Sequence, residues 1–231
     1  ICVKAADLPG ALPAARAAAG PETPVISLLN GVGHERALRQ AIGPRRMVFG
    51  SAYFAAMRLG PGAVRHAGGR LVWLAQTAKN LTAARQAARL LRRAGWSVNI
   101  KRDETRLLWT KLVYNAGVNP IAALTRRANG ALAADPALKE LTLLALGEAR
   151  RAAASAGHPP YPEMTPQGVL AGCRAVPEQM NSMIQDLASG RRTEAGVLLG
   201  PLVRAARRAR VPVPTLETLW AAVQRLEASL A

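Results

Sequence analysis

The chain has 231 residues, half of them hydrophobic, so it can bury a full core as one large or two small domains and is not a disordered polymer. Its formal net charge of +17 invites a polyanion, but only five of the 31 basic residues are lysine and aromatics make up 4%, too few for a base-stacking platform. The arginines are spread over helical faces, as in Arg85, Arg89, Arg92 and Arg93 or Arg204, Arg207, Arg208 and Arg210, which argues against nucleic acid as the partner.

The apolar runs Leu141 to Leu146 and Val197 to Val203 are too short to span a bilayer, so no membrane partner is expected. Cys2 and Cys173 stand alone without metal-ligand spacing, which suits a reducing cytoplasm. His34, His66 and His158 are far apart in sequence and read as loop or surface residues, so no metal site is expected.

In chain order, Ile1 to Val3 is β-rich and ends at Lys4. Leu8 to Ala19 is helix-like, and Val25 to Leu29, bounded by Pro24 and Asn30-Gly31, reads as a buried parallel strand. A helix over Gly33 to Ile42 and a strand over Arg46 to Ser51 complete a βαβαβ pattern, the signature of a doubly wound sheet. Tyr53 to Arg58, Ala63 to His66 and Leu71 to Leu74 read as antiparallel strands added to an edge. An Arg-decorated helix over Thr82 to Ala94 and a short strand over Ser97 to Lys101 follow. Beyond about residue 101 only helices are expected, near 103–117, 136–156, 165–171, 177–189, 191–210 and 215–229, punctuated by Pro and Gly.

The run Trp109 to Pro120 carries the chemistry. It reads as a helix ended by Pro120, on which Lys111, Asn115 and Asn119 recur at i, i+4 and i+8 and form one polar stripe. An ammonium and two carboxamides on an otherwise apolar helix suit a small polar ligand. The alternative is a solvated stripe on an amphipathic helix. Lys4 and Asn30 stand at carboxyl ends of strands, where open α/β sheets bind ligands. Glu194 lies near a helix start, where a carboxylate commonly acts as a cap.

Taken in order, Val3-Lys4-Ala5, Asn30-Gly31-Val32-Gly33, Trp109 with Lys111, Asn115, Asn119 and Pro120, Asn129-Gly130, Ser182-Met183 with Gln185-Asp186, and Thr193-Glu194 resemble the ketopantoate reductase (2-dehydropantoate 2-reductase) family. No single motif is specific, but the ordered set spans nearly the whole chain. The resemblance implies NADPH-dependent reduction of a 2-keto acid to a 2-hydroxy acid on the route to pantothenate and coenzyme A, with NADP as cofactor and a homodimer as one assembly it allows. Lys111 resembles the proton donor, and Glu194 is grouped with it as catalytic. Asn30, Asn115, Asn119, Asn129 and Ser182 match substrate contacts, with Asn115, Asn119 and Ser182 expected to meet on one pocket. Lys4, Asn30, Ala56 and Glu194 match cofactor contacts.

The sequence also departs from the family. Ala195-Gly196 follows Thr193-Glu194 where Ile-Asp is usual, and Gln179 stands where Asn is common three residues before the serine. The Gly-x-Gly-x-x-Gly loop that cradles a pyrophosphate precedes the Lys4 match in the family. Gly31-x-Gly33, Gly60-Pro61-Gly62 and Gly68-Gly69 lack its spacing. The expectation is therefore α/β plus all-α: a partial Rossmann-like, doubly wound dinucleotide-binding domain over 1–101, N-terminally incomplete, then an all-helical substrate and dimerisation domain over 102–231. An incomplete reductase is expected to bind NADPH weakly and to leave the Ile1–Val3 strand with an open side. Two alternatives stay open: a reductase of the same fold acting on another keto acid, and an inactive remnant serving as a binding or oligomerisation module.

Overall fold

A computed structural model describes residues 1–229, apart from the Arg58 side chain. Two compact units divide the chain, one of residues 1–54 and 69–108, the other of residues 55–68 and 109–231.

In the first unit a 3₁₀ turn, Ala5–Asp7, leads into α1, Leu8–Ala18. Strand β1 is Val25–Ser27, α2 is Glu35–Ile42, and β2 is Met47–Gly60. Strand β3 is Ala63–Ala75, α3 is Leu81–Arg93 and β4 is Ser97–Lys101. The sheet order is β1-β2-β3-β4, with β1 parallel to β2 (Val25 opposite Met47) and β3 parallel to β4 (Leu71 opposite Ser97). Strands β2 and β3 are joined by Pro61-Gly62 as a hairpin, so the three short edge strands expected from the glycines are two long strands. Gly69 accommodates the crossing: at φ +70°, a Cβ there would meet the Tyr53 carbonyl oxygen at 2.8 Å.

The expected strand at Ile1–Val3 is reduced to one paired residue. The Ile1 nitrogen donates to the Ile26 carbonyl at 2.6 Å, and Leu28 N–H donates to the Ile1 carbonyl at 3.0 Å, the bond pattern of a parallel ladder beside Ser27.

Helix α3 lays Ala83, Ala84, Ala87 and Ala88 on Val48, Val72, Leu74 and Val98. Small residues at i, i+1, i+4 and i+5 let the helix sit close to the sheet, while Arg85, Arg89, Arg92 and Arg93 take the other side. Buried Asn80 ties the strands at their ends, donating to the Met47 and Ala75 carbonyls at 3.0 and 3.2 Å. His34, read as a loop or surface residue, lies in the loop before α2 and is buried, its ring centre 6.4 Å from that of Phe49.

Helix α4, Glu104–Thr125, begins in the first unit and continues into the second. Pro120 does not end it. The ring removes one N–H from the helix interior, a loss of about 3 kcal/mol in isolation, but Val118, Ile121, Ala122 and Ala123 are buried around it, and their packing outweighs the missing bond.

The second unit continues with α5, Ala131–Ala134, α6, Pro136–Ser155, and α7, Pro166–Ala175. Helices α8, Ser182–Ala188, α9, Ala195–Leu198, α10, Gly200–Ala209, and α11, Pro214–Ala228, complete it. The helix expected over 191–210 is broken at Leu199, because Pro201 has no N–H to continue the ladder. Asp135 caps α6 by accepting from Ala137 and Leu138 N–H, and Thr165 caps α7 by accepting from Gly168 N–H. Helix α6 packs against α5, α7, α10 and α11. Among the described residues no helix is long and apolar enough to cross a membrane.

At Gly117 α4 comes close to α6: a Cβ there would lie 2.5 Å from Leu146 Cγ, and Leu146 is fully buried. In an open helix Gly→Ala is stabilising by about 1 kcal/mol. Here Gly117→Ala should instead destabilise by about 1–3 kcal/mol through overpacking, read from denaturant unfolding. A stabilised variant would show that α4 and α6 are less tightly apposed.

Candidate active site

Lys111, Asn115 and Asn119 all lie within α4, and the two asparagines are buried. Asn115 and Asn119 are 3% and 4% exposed, and Leu112, Val113, Ala116 and Val118 fill the rest of the helix surface with buried apolar groups. An amphipathic helix with a solvated stripe would have left these carboxamides in water. Lys111 is half-buried, its ammonium 4.5 Å from the centre of the Tyr114 ring. Burial disfavours the charged form and lowers the Lys111 pKa from 10.5 to about 7. The same burial raises the Tyr114 phenol well above its usual value, so the ring beside the ammonium stays neutral. Trp109, two residues before Lys111, packs its ring 4.9 Å from His158, and buried Thr110 accepts from Tyr161 N–H at 2.9 Å. Together these contacts fix the rotation of α4.

Asn129 and Ser182, 53 positions apart, are brought together by the segment 177–181. That segment is not helical as expected. Instead its backbone turns to Asn129-Gly130, with Asn129 N–H donating to Gln179 O at 2.9 Å and Gly130 N–H to Pro177 O at 3.0 Å. Gly130 is obligatory at this contact, since a Cβ would meet the Pro177 carbonyl oxygen at 2.7 Å. Buried Asn181, overlooked in the sequence, links the two: its Nδ2 donates to Asn129 Oδ1 at 3.1 Å, and its Oδ1 accepts from Met183 and Ile184 N–H at 3.1 and 3.2 Å. Asn181 is thus the N-cap of α8, with Ser182 as the first helical residue. An Asn ahead of Ser-Met-Ile is a legible cap signal, but reading the helix from 177 hid it.

Glu194 is the residue preceding α9, and its carboxylate makes no capping bond there. Its position is set by Thr193, whose N–H and hydroxyl both donate to Glu227 Oε1 at 2.6 Å while the hydroxyl accepts from Ala195 N–H at 3.1 Å. Glu227 stands on α11, whose start is held in turn by buried Glu148 of α6, accepting from Thr215 and Leu216 N–H at 3.1 and 2.9 Å. No local sequence signal pairs Glu227 with a residue 34 positions earlier. Ala56, on the outer part of the β2–β3 hairpin, offers its carbonyl to Gln185 Nε2 at 3.5 Å.

Lys4 and Asn30 belong to the first unit. Each lies three residues beyond a paired position on neighbouring parallel segments, Lys4 after Ile1 and Asn30 after Ser27, and both are half-buried. The loop after Asn30 uses Gly31 and Gly33 at φ 84° and 105° to turn into α2, with Gly33 N–H donating to Glu35 at 2.7 Å. Among the described residues no group of three His, Cys, Asp or Glu side chains could hold a metal ion.

The model of the ketopantoate reductase PanE/ApbA C-terminal region matches residues 103–227, and that of ketopantoate reductase PanE/ApbA matches residues 1–79. The chain belongs to the ketopantoate reductase family. The 2-dehydropantoate 2-reductases of Halobacterium salinarum and Mesorhizobium japonicum are 30% and 31% identical to it over 196 and 203 residues, covering 84% and 86% of this chain but 64% and 60% of theirs. The chain therefore matches less than two thirds of either relative. A ketopantoate reductase of the PanE/ApbA family from Ralstonia eutropha superposes with a TM-score of 0.81 at 27% identity, over 99% of this chain and 75% of that one. D-mandelate dehydrogenase in complex with NADH and anilino(oxo)acetate shares the fold, with a TM-score of 0.80 at 21% identity over 99% of this chain and 75% of that one.

Two outcomes follow. Lys111→Met removes the group whose charge is penalised, so it should stabilise the protein at pH 6, where Lys111 is charged both folded and unfolded. The gain should shrink as pH rises from about 7 towards 10.5, where the wild-type lysine is neutral when folded and loses its charge in the unfolded chain as well. Denaturant melts across that range check it; a gain that does not change with pH contradicts it. Glu227→Ala should cost about 1–2 kcal/mol and abolish hydrogen-exchange protection of the Thr193 amide. Retained protection would mean that the loop is held by other contacts.

Proposed function

We propose that this protein reduces a 2-keto acid to the corresponding 2-hydroxy acid at the expense of a reduced nicotinamide nucleotide, with 2-dehydropantoate as substrate and NADPH as donor. The observation that carries the reading is Lys111, a half-buried lysine whose pKa is lowered to about 7 by lost hydration, at the head of two buried carboxamides. The identity to 2-dehydropantoate 2-reductases supports it, and supports 2-dehydropantoate as the substrate on the route to pantothenate and coenzyme A.

Reduction of a ketone adds a hydride to carbon and a proton to oxygen, and negative charge grows on that oxygen as the hydride arrives. Lys111 meets both needs. Its N–H group stabilises the charge, and with a pKa near the working pH it can give up the proton and remain as a neutral amine in surroundings that favour one. Asn115, Asn119, Asn129 and Ser182 hold the substrate's hydroxyl and carboxylate. When bound, the reduced nicotinamide supplies the hydride. The residues present are of the types that end of the nucleotide requires: half-buried Lys4 and Asn30 of the first unit carry an ammonium and a carboxamide, and half-buried Glu194 of the second a carboxylate, donors and acceptors for ribose hydroxyls and a carboxamide. Lys4, Asn30, the Ala56 backbone and Glu194 are the contacts proposed for it.

Steady-state assay of NADPH oxidation with 2-dehydropantoate and a panel of other 2-keto acids tests the reading. Lys111→Ala should lower kcat roughly 10²–10⁴-fold, the contribution of a positioned acid. Lys111→Arg should be as poor, because a guanidinium keeps its proton. The wild-type kcat/KM should fall as pH rises through about 7, where Lys111 loses the proton it must donate. Wild-type turnover in Lys111→Ala would overturn the assignment, and a wild-type protein that reduces no keto acid would overturn the function.

A further inference from the structure

We propose that Asn181 is a positioning residue that decides which end of the Asn129 carboxamide faces the ligand. It presents the NH₂ end, making Asn129 a donor to an oxygen acceptor such as the keto acid's carboxylate. The inference rests on the keto-acid reading of this site.

The polarity follows link by link from the bonds around α8. The backbone N–H groups of Met183 and Ile184 can only donate, and both donate to one atom of the Asn181 side chain, at 3.1 and 3.2 Å. That atom must be the carbonyl oxygen. The NH₂ of Asn181 is thereby turned to Asn129, 3.1 Å away, and it too can only donate. The atom of Asn129 it meets must again be the oxygen. Both residues are at least 95% buried, so water does not offer either amide an equally good alternative orientation. The Asn129 backbone is fixed independently by its bond to Gln179 O at 2.9 Å and by the close fit of Gly130 on Pro177. With backbone and oxygen both committed, the Asn129 NH₂ is the part of the side chain left to meet a ligand. A carboxamide NH₂ is a donor and suits an anionic oxygen.

The test is Asn181→Asp. Aspartate caps a helix as well as asparagine does, so α8 keeps its N-cap. A carboxylate cannot donate, however, so the Asn129 amide must turn over, give its NH₂ to residue 181 and present its oxygen to the substrate. In Asn181→Asp the KM for 2-dehydropantoate should rise roughly 10–100-fold, with a smaller fall in kcat and unchanged NADPH affinity and melting temperature. Before any ligand is added, the Asn129 side-chain NH₂ protons should become about tenfold more protected from exchange, because they now bond the carboxylate. In an Asn129→Ala background the same substitution should change KM less than about twofold, since Asn181 acts through Asn129. Asn181→Ser also caps α8 but withdraws the NH₂ without adding charge, and should raise KM severalfold. It serves where the aspartate variant does not fold. An unchanged KM in a folded Asn181→Asp or Asn181→Ser protein, or an equal rise with and without Asn129, overturns the proposal. A wild-type protein that turns over no keto acid overturns the function beneath it, whatever the exchange experiment reads.

Discussion

The withdrawal of Lys111 from water is the constraint on which the site depends. A lysine on a solvated helix face is a strongly hydrated point charge, ionised far above neutral pH and a poor acid. On α4 the same side chain lies partly withdrawn from water over the Tyr114 ring, and the lost hydration brings its pKa down to about 7. That requires a helix that cannot roll or slide. The close fit of Gly117 on Leu146, the Thr110–Tyr161 bond and the Trp109–His158 ring contact each hold it, and they lie within two turns of the lysine. Catalytic pKa values are set by such surroundings rather than by the reacting residue alone.

Asn129 and the segment before Glu194, both in the proposed site, are held by a common device. Side-chain oxygens accept from backbone N–H groups at helix starts and tie distant segments together. Asn181 caps α8 and reaches Asn129, while Glu227 holds Thr193 and Glu148 holds the start of α11. The Asn181 and Glu148 oxygens satisfy helix-start N–H groups that would otherwise lie unmet, while Glu227 holds the residue just before the N-cap of α9. Each also sets the direction of a neighbouring polar group. In this way residues separated by tens of positions are placed from helices, which hold geometry better than loops do.

Much of this was legible in the sequence. The i, i+4, i+8 spacing of Lys111, Asn115 and Asn119 placed them on one side of a helix, and the alternation of apolar runs with Gly and Pro located β1, α2, α3 and β4 to within a few residues. Local rules failed where tertiary packing overrode them. Pro120 reads as a stop, yet a helix buried on all sides absorbs the missing hydrogen bond. Gly68 and Gly69 read as a break between short strands, yet cross-strand pairing carries β3 past them, while Gly60-Pro61-Gly62 is the turn between β2 and β3. Residues 177–181 read as the first turn of a helix, yet their carbonyls are needed by Asn129 and Gly130. The partnership of Thr193 with Glu227 left no trace in either segment, because long-range hydrogen bonds carry no periodicity.

The most direct measurement is a nuclear magnetic resonance titration of the Lys111 side chain, following its ¹³Cε and ¹⁵Nζ shifts with pH in protein labelled at lysine. With only five lysines in the chain, Lys111→Met assigns the signal unambiguously. Enclosure of the ammonium predicts a midpoint close to 7. A midpoint near the ordinary 10.5 would mean that water reaches the ammonium, and that Lys111 is a surface cation rather than the acid of a reductase.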